Sequence, residues 1–439
     1  MVPAKRRLGN EKLEAKKKSP TSDFLHPASV NEPQQFVLGV NYWPAAKAMS
    51  WWQDFDAAEA EADFGRMAAS GLRTVRIFLL WEDFQPSPSR ISGAALRHLV
   101  RLADIAADCG VLIMPTFFCG HMSGVNWLPG WMLAPGRGTG RFPVWSGGRQ
   151  LVAGIRNWYS DREAIGAQRL QCREVARALA GHPAVWAYDL GNESSNCVIP
   201  PDRNAARQWL EAMVGEIRQN SGNCRVTLGM HAEDLEDDRH LWPQDAAAWG
   251  DFLCMHGYPF YLSWAGESDV LVLPFLGLLT QWLGGKPVLF EEFGAPSRPV
   301  LPPYSGEMDL AGCKTPLWPE NNVAGYYRQA LEMLCQAGMT GAMAWCYGDY
   351  HPSLWSRHPL KDNPHERYFG LFRHDGSPKP AVQAFSEFAN CLAAGGGPKT
   401  DPEAGTWLRG EDRERYYDSP RTELPRLYLK YKEWLEVES

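Results

Sequence analysis

The chain of 439 residues lacks any CxxC pair, any apolar run of the roughly 18 residues that a membrane helix needs, and any excess of basic charge. Each absence excludes a class. Ten cysteines are scattered singly, and several lie inside apolar runs, where a free thiol packs as a small hydrophobe. That pattern fits a reducing compartment better than a disulfide framework. With 44 Lys and Arg against 51 Asp and Glu, the formal charge is −7, so the electrostatic footprint of a nucleic-acid binder is missing. The start, "MVPAKRRLGNEKLEAKKKSP", is basic and polar and has no apolar core for a secretion signal. The expected location is therefore the cytoplasm, with no membrane partner. Residues 1–34 read as a disordered basic arm or a misassigned start. Phosphate loops are absent too: the first apolar run leads into "GVNYWPAAKAMS", and neither GxxxxGKS nor GxxxxGKT occurs. Nothing in the pattern asks for a metal or a cofactor.

What the chain has instead is a repeat of elements. Eight short, β-rich apolar runs recur from residue 36: "FVLGVNYW", "LRTVRIFLLW", "VLIMPTFF", "AVWAYDLGNE", "RVTLGM", "FLCMHGYP", "PVLFEEFG" and "GAMAWCYGD". Most are continuous, not alternating, as parallel strands buried on both faces should be. Helical patterns separate them, the first opened by Asp56 as a candidate N-cap. Gly71, Gly110, Gly181, Gly222, Gly250, Gly285 and Gly338 stand where those helices should end in a left-handed residue. Eight strands alternating with helices over about 350 residues predict an α/β fold, a (β/α)8 TIM barrel spanning 35–394. The rival, a doubly wound open sheet, would want the missing phosphate loop.

Barrel active sites are built from the loops after the strands. Three of these are long insertions: about forty residues after strand 3, residues about 295–318 after strand 7, and "YGDYHPSLWSRHPLKDNPHERYFGLFRHDGSP" after strand 8. Residues 395–439 read as a linker followed by a helix that packs back on the barrel.

Two strand ends carry carboxylates. Strand four ends in Asn192-Glu193, and strand seven in Glu291-Glu292. Solvated loop glutamates are far commoner than catalytic ones. Position tilts the reading, because each pair directly follows a buried strand at the end where the site forms. Paired carboxylates are what glycoside hydrolysis requires, one to protonate the leaving oxygen and one to attack or to activate water. Arg76 interrupts the apolar second strand and must find a carboxylate there. His256 and Tyr258 share a face of strand six. Trp345 on strand eight offers a flat indole to a sugar ring. Trp345 also reads as core, and His256 as a satisfied core histidine. Trp81, His121 and Trp127, at the end of strand two and in the insertion after strand three, complete the candidate substrate-binding set. After strand five, His231, Glu233, Asp234 and His240 form a cluster that reads as a solvated loop, since zinc ligands come in tighter pairs.

Taken together, "VRIF" with Arg76, "GNE" with Glu193, "HGY" with His256 and Tyr258, "EEFG" with Glu292 and "AWCYGD" with Trp345 resemble glycoside hydrolase family 5, over about residues 36–390. The resemblance implies Glu193 as acid/base and Glu292 as nucleophile. It implies Arg76 and Tyr258 as hydrogen-bond partners of the nucleophile, Asn192 as a contact to the sugar 2-hydroxyl, and His256 in the catalytic subsite. Strand alternation would then send Glu291 to the opposite face, into the surrounding packing and toward a basic partner. A retaining double displacement follows, with carboxyl groups roughly 5–5.5 Å apart. "GVNYWP" and the loop pattern are most similar to the β-mannosidases and β-mannanases of that family. The aromatic insertions suggest a closed pocket. The expected activity is thus an exo-acting β-mannosidase, its partner a β-linked oligosaccharide or glycoside. An endo-β-1,4-mannanase, a β-glucosidase, a β-galactosidase or a non-catalytic glycan-binding barrel remain as alternatives.

Overall fold

The computed structural model describes residues 36–136, 140–222, 224–299 and 315–438; the arm at 1–34 and residues 300–314 of the second insertion lie outside them. Eight strands form one sheet: β1 (Val37–Tyr42), β2 (Thr74–Leu80), β3 (Leu112–Cys119), β4 (Ala187–Asn192), β5 (Arg225–Gly229), β6 (Leu253–Gly257), β7 (Val288–Phe293) and β8 (Gly341–Ala344). They lie in the order β5-β4-β3-β2-β1-β8-β7-β6, and every ladder is parallel. β5 and β6, at the two ends of that order, meet in a single parallel bridge at His231 and His256. This is the expected TIM barrel, joined most lightly at one seam.

Helices follow the strands in turn: Ala57–Ala69, Gly93–Asp108, Arg162–Ala178, Arg203–Ser221, Pro243–Trp249, Val272–Gly284, Glu320–Gln336 and Pro380–Ala393. Three start with the same device. Asp56, Asp161 and Asp202 accept from backbone N–H groups of the first turn, each worth about 1 kcal/mol. Six of the seven helix-ending glycines have positive φ; Gly250 departs, at φ −71°.

Val272–Gly284 ("VLPFLGLLTQWLG") is apolar on nearly all sides, which demands cover beyond the barrel. The tail supplies it. Phe275 packs against Tyr428 (5.0 Å), Trp407 (5.6 Å) and Tyr431 (5.9 Å) of the C-terminal segment. The stretch before the last helix is tied down as well, with Asp401 N–H donating to Gln336 O and Tyr416 Oη–H to Leu235 O. No helix among the described residues is long and apolar enough to cross a membrane.

Inside the barrel, Met114, Ala187, Cys254, Leu289 and Met343 form an apolar plug with Trp186 and Phe252. Two residues further along their strands, the inward positions turn polar: Thr116, Asp189, His256 and Glu291. The period of two thus builds an apolar layer with a charged layer above it. The first insertion is ordered where described. It forms a small sheet of His121–Met122, Val125–Trp127, Val144–Ser146 and Arg149–Leu151, plus a two-stranded pair, Leu133–Ala134 with Gly154–Ile155.

Candidate active site

The charged layer is organised by Arg76, which has no exposed surface. Its Nη2 donates to Asp189 Oδ2 (2.7 Å), its Nη1 to Glu292 Oε1 (2.5 Å), and its Nε to Thr116 Oγ1 (2.9 Å) and toward Glu291 Oε1 (3.1 Å). Three carboxylates on one guanidinium satisfy the demand that a buried charge be paired. Gly229 makes room for them, since a Cβ there would lie 2.5 Å from Gly191 O, 2.8 Å from Arg76 Nη2 and 3.0 Å from Glu291 Oε2.

The alternation expected at Glu291-Glu292 is overturned here. Period two from Leu289 puts Glu291 inward, beneath the pocket, where its Oε2 meets His256 Nε2 at 3.1 Å. Glu292 would then face out, but the register of β7 slips on both sides. Met255 pairs with Phe290 whereas His256 pairs with Glu292, and a second shift falls between Phe290 and Phe293 against β8. The bulge turns Glu292 inward too, one level above Glu291. β4 bulges similarly between Asp189 and Asn192, and Glu193 leaves it in a left-handed conformation, φ 45° and ψ 47°. A non-glycine residue held there costs energy, and such residues cluster at functional sites.

Above this layer lies a pocket of about 240 Å³ lined by Glu193, Glu292, Asn192, His256, Tyr258 and Trp345, among others. Tyr258 Oη–H donates to Glu292 Oε2 (2.9 Å). His256 Nδ1 lies 3.0 Å from Glu193 Oε1 and 3.6 Å from Glu292 Oε2. Asn196 Nδ2 donates to Glu193 Oε2 (3.0 Å). Asn192 Nδ2 donates to His121 O, leaving its buried Oδ1 with no protein partner and available to a ligand hydroxyl.

Electrostatics follow from this packing. Burial alone would lower the His256 imidazole, but the charge of Glu292 and the hydrogen bonds of Glu193 and Glu291 raise it to about 10. Burial opposes ionisation of Glu193, yet His231, His256 and His121 around it hold it below the usual carboxylate range. Glu292 is pushed up, by burial first and by Glu193, against the pull of His256 and Arg76. Burial raises Asp189 to about 6. Glu193, His256 and Glu292 are also the group among the described residues whose donor atoms lie close enough for a metal ion. Both nitrogens of the His256 ring already meet carboxylates, so the grouping is that of an ion-pair network.

Of the residues singled out from sequence, Arg76, Asn192, Glu193, His256, Tyr258, Glu292 and Trp345 come together, and His121 joins them through the pocket wall. Trp81 and Trp127 do not. Trp81 is buried between Phe118, Trp131 and Trp158, and Trp127 packs on Trp145 with its Nε1–H on Met122 O. Both are core residues, because the insertion folds its own small core. The cluster after β5 is no solvated loop. His231 and Glu233 line the pocket, Asp234 accepts from Ser195 Oγ (2.6 Å), Glu233 pairs with Arg239 and Arg141, and His240 turns away to Pro200 O. Sequence reading missed Glu366, a further pocket carboxyl on the loop after β8. Ser123 Oγ donates to it at 3.0 Å, and burial raises it to about 7. No strand end announces it, and only the length of that loop pointed to its region.

Eight parallel strands with carboxylates of β4 and β7 converging at the mouth define a class, the barrel glycoside hydrolases. Solved structures bear out the resemblance to family 5. The chain is similar to a GH5_18 enzyme from Streptomyces cattleya in complex with GlcNAc (23% identity, TM-score 0.70, 85% of this chain and 84% of that one). It is similar to an exo-beta-1,4-mannosidase from Opitutaceae bacterium strain TAV5 (27% identity, TM-score 0.65, 82% of this chain and 60% of that one). An endo-beta-1,4-mannanase from Thermotoga petrophila shares the fold (15% identity, TM-score 0.53, 84% and 79%). No family model and no curated protein matches the sequence.

Proposed function

We propose that the protein is a retaining glycosidase that removes β-linked mannose from the non-reducing end of short oligosaccharides. The observation that carries the mechanism is the closeness of Glu193 and Glu292, which present carboxylate oxygens within 4.8 Å of each other. Retaining enzymes space their carboxyls at roughly 5–5.5 Å, and inverting ones at roughly 6.5–9.5 Å to admit a water. In this reading Glu292 attacks the anomeric carbon while Glu193 protonates the departing oxygen. Glu193 then takes a proton from the water that frees the sugar. Arg76 and Tyr258, both donating to Glu292, favour its ionised form. Asn192 Oδ1 accepts from the 2-hydroxyl, and Trp345 lies against the sugar face.

The histidines around Glu193 favour its ionised form, whereas an acid must carry a proton. The source in this reading is His256, 3.0 Å away, whose imidazole is raised to about 10. A sugar that displaces water lowers the local dielectric and favours the neutral pair over the ion pair, so the proton crosses to Glu193.

Mannose as the sugar rests on the mannosidase and mannanase among the similar structures. Exo action rests on the pocket, which is smaller than the roughly 300–1,000 Å³ of most ligand sites. A cytoplasmic setting is supported by the described cysteines, all nine of which are free. An endo-β-1,4-mannanase is the second reading, favoured by the Thermotoga neighbour.

A panel of nitrophenyl β-glycosides tests the proposal. Release from the mannoside alone is the expected result. Release from the glucoside or galactoside keeps the mechanism and changes the sugar. Turnover of mannan polymers with silence on the whole panel favours the endo reading. Silence on both favours a glycan-binding barrel.

A further inference from the structure

A second depression adjoins the pocket. It is larger, about 920 Å³ against about 240 Å³, and Arg141, Phe142, Asn196 and Glu233 line both. Its walls are the first insertion, the loop that follows Glu193, the loop after β5, and Arg421 from the C-terminal helix. Asn157 Nδ2 donates to Ile199 O (2.7 Å) and ties the first two walls together. Arg421 pairs with Asp237 and brings the tail to the third.

From its position we infer that this groove holds the leaving-group side of the substrate, two or more sugar units beyond the bond that breaks. The inference rests on the glycosidase reading above. In that chemistry the acid faces the departing oxygen, so the leaving group emerges on the side of Glu193. Ser195, Asn196, Cys197, Val198 and Ile199, which begin two residues after Glu193, line the groove. Asn196 both holds the Glu193 carboxyl and borders the groove.

The far side of the pocket is walled. Ser123 of the first insertion donates to Glu366 of the loop after β8, and Asn363 Nδ2 donates back to Ser123 O (3.1 Å). Two insertions are thereby laced together over a part of the pocket that the groove does not share. The pocket volume suits one ring, whereas the groove lies near the top of the range for ligand sites, roughly 300–1,000 Å³.

The groove surface has the mixed character a sugar chain needs. Among the described residues five large hydrophobics are exposed, and two of them, Val152 at 80% and Ile199 at 43%, line this groove. Beside them lie the amides of Gln150 and Asn157. Apolar patches for ring faces and amides for hydroxyls together describe a neutral oligosaccharide. The basic groups do not invite an anion instead, because Arg141, Arg239 and Arg421 are already paired with Glu233 and Asp237.

The test is a chain-length series. kcat/KM is measured on β-1,4-linked mannobiose, mannotriose and mannotetraose and on nitrophenyl β-mannoside, or on the matching series of whichever sugar the glycoside panel selects. The expected result is a rise of at least tenfold from the disaccharide to the tetrasaccharide, carried mainly by KM, with one monosaccharide released per turnover. Ile199→Asp and Val152→Asp, both at exposed positions, should each cut that gain to threefold or less. A flat series with active enzyme overturns the groove assignment and leaves the glycosidase reading standing. A gain that survives both substitutions overturns it as well. No turnover of any glycoside removes the glycosidase reading and this inference with it.

Discussion

Arg76 Nη1 lies 2.5 Å from Glu292 Oε1, and the same guanidinium reaches Asp189 on β4 and Glu291 on β7. One side chain thus joins the barrel's charged layer to the pocket. Arg76→Ala would leave these carboxyls without their cation in the interior, a loss on the order of 3–5 kcal/mol or more. We expect little folded protein, read by circular dichroism and urea unfolding. Arg76→Lys keeps the charge but not the planar fork, so it should fold better than Arg76→Ala and still lose most turnover. An Arg76→Ala variant as stable as the parent would mean that the layer is held elsewhere.

The two pocket glutamates should fail differently. Glu292→Gln removes the proposed nucleophile, and turnover of every glycoside should drop below detection. Glu193→Gln removes the proposed acid, so its loss should depend on the leaving group. On oligosaccharides we expect a decrease of about 10²–10⁴-fold. On a dinitrophenyl glycoside, whose departure needs no proton, the first step should be almost unaffected and a burst should appear. Equal losses on both substrates would contradict the assignment of Glu193.

His256 bridges Glu193 and Glu291, at 3.0 and 3.1 Å, and its imidazole is raised to about 10. If it feeds the acid, His256→Gln should lower kcat/KM on poor leaving groups by about 10²-fold and spare dinitrophenyl glycosides. The alkaline limb of the pH profile should move to lower pH, because the proton then depends on Glu193 alone. A limb that stays in place would rule out the relay. The stability linkage has the same sign. The folded pKa is raised above the ordinary 6.5, so the stabilising contribution is complete below about pH 6.5 and is lost as pH rises through about 10.

Much of this was legible in the sequence, for physical reasons. Continuous, β-rich apolar runs such as "VLIMPTFF", short and bounded by helix-ending glycines, read as strands covered on both faces, and their number and spacing lead to a barrel. Arg76 within such a run required a carboxylate, and the structure supplies three. What the sequence hid was local geometry. The bulges at β4 and β7 decide which way Glu193, Glu291 and Glu292 point, and period-two reasoning assumes an unbroken ladder. Trp81 and Trp127 misled because an aromatic near a strand end serves a loop's own packing as readily as a sugar. Glu366 stayed hidden because its burial comes from contact between two insertions distant in sequence, Ser123 with Glu366.

Glu366 offers the last prediction, on stability against pH. Burial raises its carboxyl from the ordinary 4.5 to about 7, with the donation from Ser123 only partly offsetting this. A raised folded pKa means that the folded state holds the proton more tightly than the unfolded chain. Its contribution is therefore complete below about pH 4.5 and is lost as pH rises through about 7. Glu366→Gln keeps the shape and removes the titration. Relative to that variant the parent should lose stability between pH 4.5 and pH 8, by on the order of 3 kcal/mol when the group is fully ionised. Urea unfolding of both proteins at pH 5 and pH 8 measures the difference directly. An identical gap at the two pH values would mean that Glu366 is solvated, and the wall it forms with Ser123 and Asn363 would then be open to water.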